Sequence, residues 1–152
     1  MKRGIFLSLL LVLMLTVTGC GSKSKTMTCT RTGTITKGTT FDYKYVVKYS
    51  GDYVDEINIT EKVESDNSTY LETLKDTVEA IYAPYDGIKY HEYDVKIDGD
   101  KLISHRNINY KKIDTDKLIE ADSTNKALIK DGKVKLSDVK DIYKALEFKC
   151  DE

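Results

Sequence analysis

At 152 residues, 40% hydrophobic and 32% charged, the chain has the composition of one compact domain and not of a disordered tail. Its 24 basic and 25 acidic side chains leave a formal net charge of -1, without the basic excess that marks a dedicated nucleic-acid binder. A single proline excludes a Pro-rich linker, two histidines and three cysteines leave little material for a metal site, and eleven tyrosines are the compositional outlier.

Lys2 and Arg3 precede an apolar run from Ile5 to Val17, broken only by Ser8 and Thr16. The run matches a signal-peptide core and falls short of the roughly 20 residues that a membrane span needs. It ends in Leu15-Thr16-Val17-Thr18-Gly19-Cys20, an aliphatic residue three places before a cysteine with small residues between, which is the pattern of a bacterial lipobox. The expectation is a signal peptide over 1–19, cleavage before Cys20 and acylation of its thiol. The lipid bilayer is then the first partner, held through the acyl chains at the extracytoplasmic face of a bacterial membrane. Residues 20–26 are expected to form a flexible tether and 27–152 a single domain. Cleavage leaves 133 residues, with 22 basic and 25 acidic side chains.

Cys29 and Cys150 stand near the two ends of that domain. In an exported chain they either form a disulfide closing a loop of about 120 residues or remain two partly buried thiols; export favours the bond. Neither lies in a Cys-x-x-Cys motif or beside a histidine, so a catalytic thiol is not expected, and zinc lacks ligands.

Threonine occupies every second position from Thr26 to Thr36, which predicts a strand with the threonines on its wetter face. Phe41, Tyr43, Tyr45, Val47 and Tyr49 alternate with polar residues in a second strand. Ser50-Gly51-Asp52 predicts a hairpin into a third, Tyr53 to Val63, and a three-residue loop would set Tyr45 opposite Ile57 and Tyr43 opposite Ile59. Asp66 to Thr69 is a cluster of helix-capping residues, and Thr69 with Glu72 fits a capping box. Leu71, Leu74, Val78 and Ile81 then form a helical stripe that Pro84 and Gly87 terminate. A second hairpin, Tyr90–Ile97 and Lys101–Tyr110, turns at Asp98-Gly99. It carries Tyr93, Val95, Ile97, Leu102, Ile108 and Tyr110 on one face and Glu92, Asp94, Lys96, His105 and Asn107 on the other. Asp114 to Glu120 predicts a short helix, Lys130 to Lys133 a turn, and Ser137 caps a last helix with Val139, Ile142 and Leu146 as its stripe. The layout is α+β: an antiparallel sheet of about five strands, two hairpins plus an N-terminal strand, with helices packed on one face.

Catalytic chemistry is not expected. Glu92 or Asp94 lies across from His105 with Ser104 adjacent, but Ser104 and His105 point to opposite faces of one strand. No phosphate-binding glycine loop, zinc-protease motif, nucleophile elbow or calcium loop occurs, so no cofactor or metal is expected. Tyr85 and Tyr90, beside the Pro84–Gly87 turn, are the candidate interaction surface.

The lipobox before Cys29-Thr30-Arg31, two hairpins flanking a helix, Tyr85-Asp86-Gly87-Ile88, Ile108 to Asp114 entering a short helix, and a closing helix at Phe148-Lys149-Cys150 together resemble the YehR-like family of small bacterial lipoproteins. Glu147 stands where that family's pattern has glycine. The resemblance implies an α+β domain tethered to a membrane and carries over no active-site residues. The functional expectation is a non-enzymatic extracytoplasmic domain that binds a protein or another envelope component; the alternative is a small-ligand-binding accessory of the cell envelope.

Overall fold

The computed structural model describes residues 23–152; the expected signal peptide and Cys20 lie outside the described residues. Strands β1 (Lys25–Thr36), β2 (Thr39–Ser50) and β3 (Tyr53–Ser65) form an antiparallel meander whose alternation follows the sequence: Met27, Cys29 and Val47 are buried and the threonines of β1 face outward. Strand β1 begins at Lys25, one residue before the alternation that starts at Thr26 and inside the stretch expected to be tether. After helix α1 (Ser68–Tyr82) and a single 3-10 turn (Ala83–Tyr85) come the paired strands β4 (His91–Asp98) and β5 (Lys101–Ile108). Helix α2 (Thr115–Ala121), a two-stranded ribbon of β6 (Ile129–Lys130) and β7 (Lys133–Val134), and helix α3 (Leu136–Ala145) follow. The chain ends in β8 (Lys149–Asp151). The main sheet has six strands in the order β4-β5-β3-β2-β1-β8, one more than expected, because the three residues of β8 add to the outer edge of β1.

The β2–β3 register differs from expectation by two residues: Tyr45 faces Ile59 and Tyr43 faces Glu61. The turn is tighter, with Ser50 opposite Tyr53, and an irregularity beside Lys48 and Tyr49 leaves Asp55 unpaired on β3. Asp55 turns inward, accepting from Ser50 Oγ at 2.5 Å and pairing with Lys111 Nζ at 3.0 Å.

Three helices cover one face of the sheet. The N-cap of α1 is Asn67 and not Thr69; its side chain accepts from the Tyr70 amide at 3.0 Å. Leu71, Leu74 and Val78 face the sheet as expected, but Tyr82 completes the stripe while Ile81 is 58% exposed. In α3, Lys135 is the N-cap and Ser137 lies inside the first turn. The buried face is Leu136, Val139 and Tyr143, leaving Ile142 and Leu146 nearly half exposed. Both differences replace an aliphatic residue with a neighbouring tyrosine whose ring packs inward.

Helix α3 stops in a Schellman arrangement: Phe148 N–H donates to Tyr143 C=O and Glu147 N–H to Lys144 C=O, with the Tyr143 and Phe148 rings 5.5 Å apart. Glu147 occupies the left-handed position at φ 61°. Glycine would fit there without steric cost, and the Arg31–Glu147 ion pair it would remove, 3.6 Å long with Glu147 82% exposed, contributes little. Glu147→Gly is therefore expected to stabilise the domain by about 0.5–1 kcal/mol, seen as a higher urea midpoint at unchanged slope.

Candidate functional site

Strand register divides the helix-covered face into transverse rows. One carries Tyr93, Arg106, Ile59, Tyr45 and Cys29; the next carries Val95, Ser104, Glu61, Tyr43 and Arg31. These rows place a polar, tyrosine-rich seam inside the molecule, between an apolar cluster around Val63, Leu71 and Leu102 and a larger one around Val47, Ile57 and Leu118. Within the seam Glu61 accepts from the Tyr45 hydroxyl, and Ser104 Oγ lies 3.5 Å from its other oxygen. Burial, and then the nearby Glu61 charge, pushes the phenols of Tyr43, Tyr45 and Tyr82 above the ordinary tyrosine range, so all three stay protonated.

At the other end of the seam, Arg106 Nε donates to His91 Nε2 at 2.9 Å. The guanidinium sits 5.1 Å from the Tyr82 ring and 5.0 Å from the Tyr85 ring, and Tyr85 stacks on His91 with centroids 4.7 Å apart. No carboxylate among the described residues lies within ion-pair distance of Arg106. Accepting from Arg106 fixes the neutral His91 ring with its proton on Nδ1, a buried atom that has no partner.

Burial and the Arg106 charge lower the His91 pKa to about 4 from an ordinary 6.5, against a smaller opposing pull from Asp86. An unfolded His91 binds a proton more readily than the folded one. Its contribution to stability is therefore complete above pH about 6.5 and is lost as pH falls toward about 4. Allowing for solvent screening, the loss is about 1–2 kcal/mol. His91→Phe, which keeps a ring on Tyr85, should be less stable at neutral pH but flatter across that window in urea unfolding.

Among the described residues no helix covers the opposite face of the sheet. Two of its rows are Glu92–Asn107–Asn58 and Asp94–His105–Thr60, which line a shallow basin of about 340 Å³. Asn107 Nδ2 donates to Asn58 Oδ1 at 2.6 Å and to Glu56 Oε1 at 3.0 Å. Asn58 Nδ2 and Lys48 Nζ donate to that same oxygen, at 2.7 and 3.2 Å. These bonds, led by that from Asn58, hold the Glu56 carboxyl below the usual carboxylate range. Thr60 and His105 are joined at 3.1 Å. Glu92 and Asp94 are exposed, with no side-chain partner among the described residues. The basin is thus a set of fixed amides beside free acceptors, suited to ligand groups that donate hydrogen bonds.

No family model matches the chain, and no curated protein sequence does. Solved structures do. The NMR structure of Escherichia coli YehR aligns over 86% of this chain and 92% of its own, at 20% identity and a TM-score of 0.57. The chain has the YehR fold. A second NMR structure, of a protein from Streptococcus pneumoniae TIGR4, aligns over 99% of this chain and 97% of its own, at 13% identity and a TM-score of 0.55.

Within this YehR fold the two tyrosines read as a surface part company. Tyr85 is 6% exposed: its ring stacks on His91 and its hydroxyl meets Asp122 Oδ2 at 3.3 Å and Asn125 Nδ2 at 3.2 Å. It is a core residue, turned inward by the 3-10 turn of Ala83–Tyr85 that contains Pro84. Tyr90 is half-buried at φ 71°, with Lys89 and Lys112 over its ring. Cys29 and Cys150 are joined by a disulfide across β1 and β8. Ser104 is buried against Glu61 while His105 lies outside with Thr60, so β5 separates them. No group of three or more His, Cys, Asp or Glu side chains among the described residues could hold a metal ion. The His91–Arg106 contact escaped the sequence reading because a lone histidine opening a strand has no periodicity to declare its partner.

Proposed function

We propose that this chain is a lipid-anchored, extracytoplasmic domain that binds an envelope protein or other envelope component on the open face of its sheet. The observation that carries the reading is the contrast between a mostly polar, partly preorganised face and an interior whose charged groups are already held. Glu61 is held by Tyr45, and Arg106 by His91 and two rings, while the groups around Glu92, Asp94 and His105 are left open to a ligand. The Val17-to-Cys20 lipobox, five residues before β1, supports the anchor, and the Cys29–Cys150 bond supports an oxidising compartment. No helix among the described residues is long and apolar enough to cross a membrane, so on this reading attachment runs through Cys20.

In-cell cross-linking of the intact chain followed by mass spectrometry tests the proposal. The expected result is one reproducible partner whose yield falls at least about tenfold in an Asp94→Arg, Asn107→Arg double variant, while Tyr90→Ala leaves it unchanged. Capture indifferent to the open-face charges would overturn the assignment of the surface. A Cys20→Ala variant that stays in the membrane fraction would overturn the anchor. The basin volume keeps a small-ligand reading in play, since small-molecule sites run about 300–1,000 Å³; a bound metabolite recovered from the purified chain would favour it.

A further inference from the structure

We propose that the end of the sheet where β1 begins is a membrane-contacting surface that takes the headgroups of an anionic lipid bilayer, with Lys25, Lys133 and Lys135 as its cations and Tyr53 as its interfacial aromatic. The inference rests on the Cys20 anchor proposed above and adds to it an orientation for the whole domain.

Lys25 is five positions beyond Cys20, at most about 18 Å of extended chain, so this end of the sheet stays beside any bilayer that holds Cys20. Register fixes what else is there. Lys25 pairs with Tyr49, one position from the β2–β3 turn, where Ser50 faces Tyr53. Tyr53 in turn bridges to Lys135, and the Leu136 amide donates to Asp52 C=O at 2.9 Å, bringing the β6–β7 ribbon and the start of α3 to the same end. Tyr53 is 39% exposed, and Lys133 Nζ lies 4.9 Å from its ring centroid. An exposed ring with an ammonium over it is the pairing that settles at a headgroup layer. A cleft of about 460 Å³ opens between the turn and α3, lined in part by Tyr53, Lys135, Ser137 and Lys140.

Charge separates this end from the other. Lys48, Lys111 and Lys140 are each paired with a carboxylate, Glu56, Asp55 and Glu152 respectively. Lys25, Lys133 and Lys135 have no ion-pair partner among the described residues; the unpaired acids near them are Asp52, Asp131, Asp138 and Asp151, the last opposite Thr28 on β1. Lys130, which faces Lys133 across the ribbon, and Lys23 of the tether bring the cations to five against those four acids. At the far end, Glu64, Asp66, Asp98 and Asp100 outnumber Lys37 and Lys101, and Lys101 is shared between Glu64 at 3.5 Å and Asp100 at 3.9 Å. An anionic surface attracts the first end and repels the second.

The test reconstitutes the lipidated full chain on phosphatidylcholine vesicles with and without phosphatidylglycerol and follows backbone hydrogen exchange. Exchange at 50–54 and 133–137 should slow about tenfold on the anionic vesicles alone, with the 98–101 turn unchanged. A Lys133→Glu, Lys135→Glu variant with the parent's melting temperature should lose that protection. Equal exchange on both vesicle types, or protection at 98–101, overturns the proposal. Should mass spectrometry find Cys20 unmodified, the anchor reading fails by itself. Co-sedimentation of the unlipidated chain with the same vesicles then decides the surface: binding to anionic vesicles alone upholds it, and none overturns it.

Discussion

Reducing the Cys29–Cys150 bond, or replacing both cysteines with serine, is expected to lower the free energy of unfolding by about 3–5 kcal/mol. The bond joins residues 121 apart in sequence, so its loss releases nearly the whole domain's loop entropy to the unfolded chain. Against the roughly 5–15 kcal/mol that holds a domain together, this is a large share. The native state also loses a clamp. Cys29 is fully buried, whereas all three residues of β8 are exposed and pair with only Thr28, Cys29 and Thr30. Urea unfolding with and without reductant measures the total. Hydrogen exchange at 149–151 should rise first, before the central strands respond. A total below about 1 kcal/mol would mean that the unfolded chain keeps its ends together without the bond.

Replacing Arg106 with alanine is the second large effect, with an expected cost of about 2–4 kcal/mol. Two cation–ring contacts disappear, and His91 Nε2, buried beside Tyr85, loses its only donor. Arg106→Lys keeps the charge but has neither a planar face for Tyr82 and Tyr85 nor an Nε–H for His91, so it should recover only a minor part. The imidazole supplies a readout that ordinary loss of packing would not move. Arg106 is one cause of the depressed His91 pKa, so in Arg106→Ala its NMR titration should rise from about 4 toward 6.5, stopping short because burial remains.

The elements that declared themselves in the sequence are those with a repeating pattern. The alternating threonines of β1, the alternating aromatics of β2, the Gly-Asp hairpin turns and Asp114 ahead of a short helix all read through, because two-residue and near-four-residue periods report which face is buried. The discrepancies arise where a tertiary contact chose between neighbours. Tyr143 was chosen over Ile142 because Tyr45 and Phe148 wait for it, with ring centroids 5.3 and 5.5 Å away. Tyr82 was chosen over Ile81 because its ring meets Tyr93 at 5.2 Å and Arg106 at 5.1 Å. The inward turn of Asp55 supplies half of the β2–β3 register shift, the tighter turn the other half, and no local pattern announces a buried acid whose partner, Lys111, lies 56 positions away. The basin was legible in part: Glu92, Asp94, His105 and Asn107 share a face by parity alone. Their neighbours Asn58 and Thr60 arrive from β3 through a pairing that parity cannot supply.

The strand order has a consequence for the time course of biosynthesis. Among the described residues β1 is the first strand in chain order and β8 the last, yet they lie side by side in the sheet. Until residue 151 is available, the outer edge of β1 carries unclaimed backbone donors and acceptors and an unoxidised Cys29. The nascent domain is therefore an open template that invites another strand. Closing the sheet therefore waits for residues 149–151 and for the thiol oxidation that follows. A chain handed over before that point would still be pliable enough for threading through a narrow conduit, and would become resistant to it only once the last strand had docked.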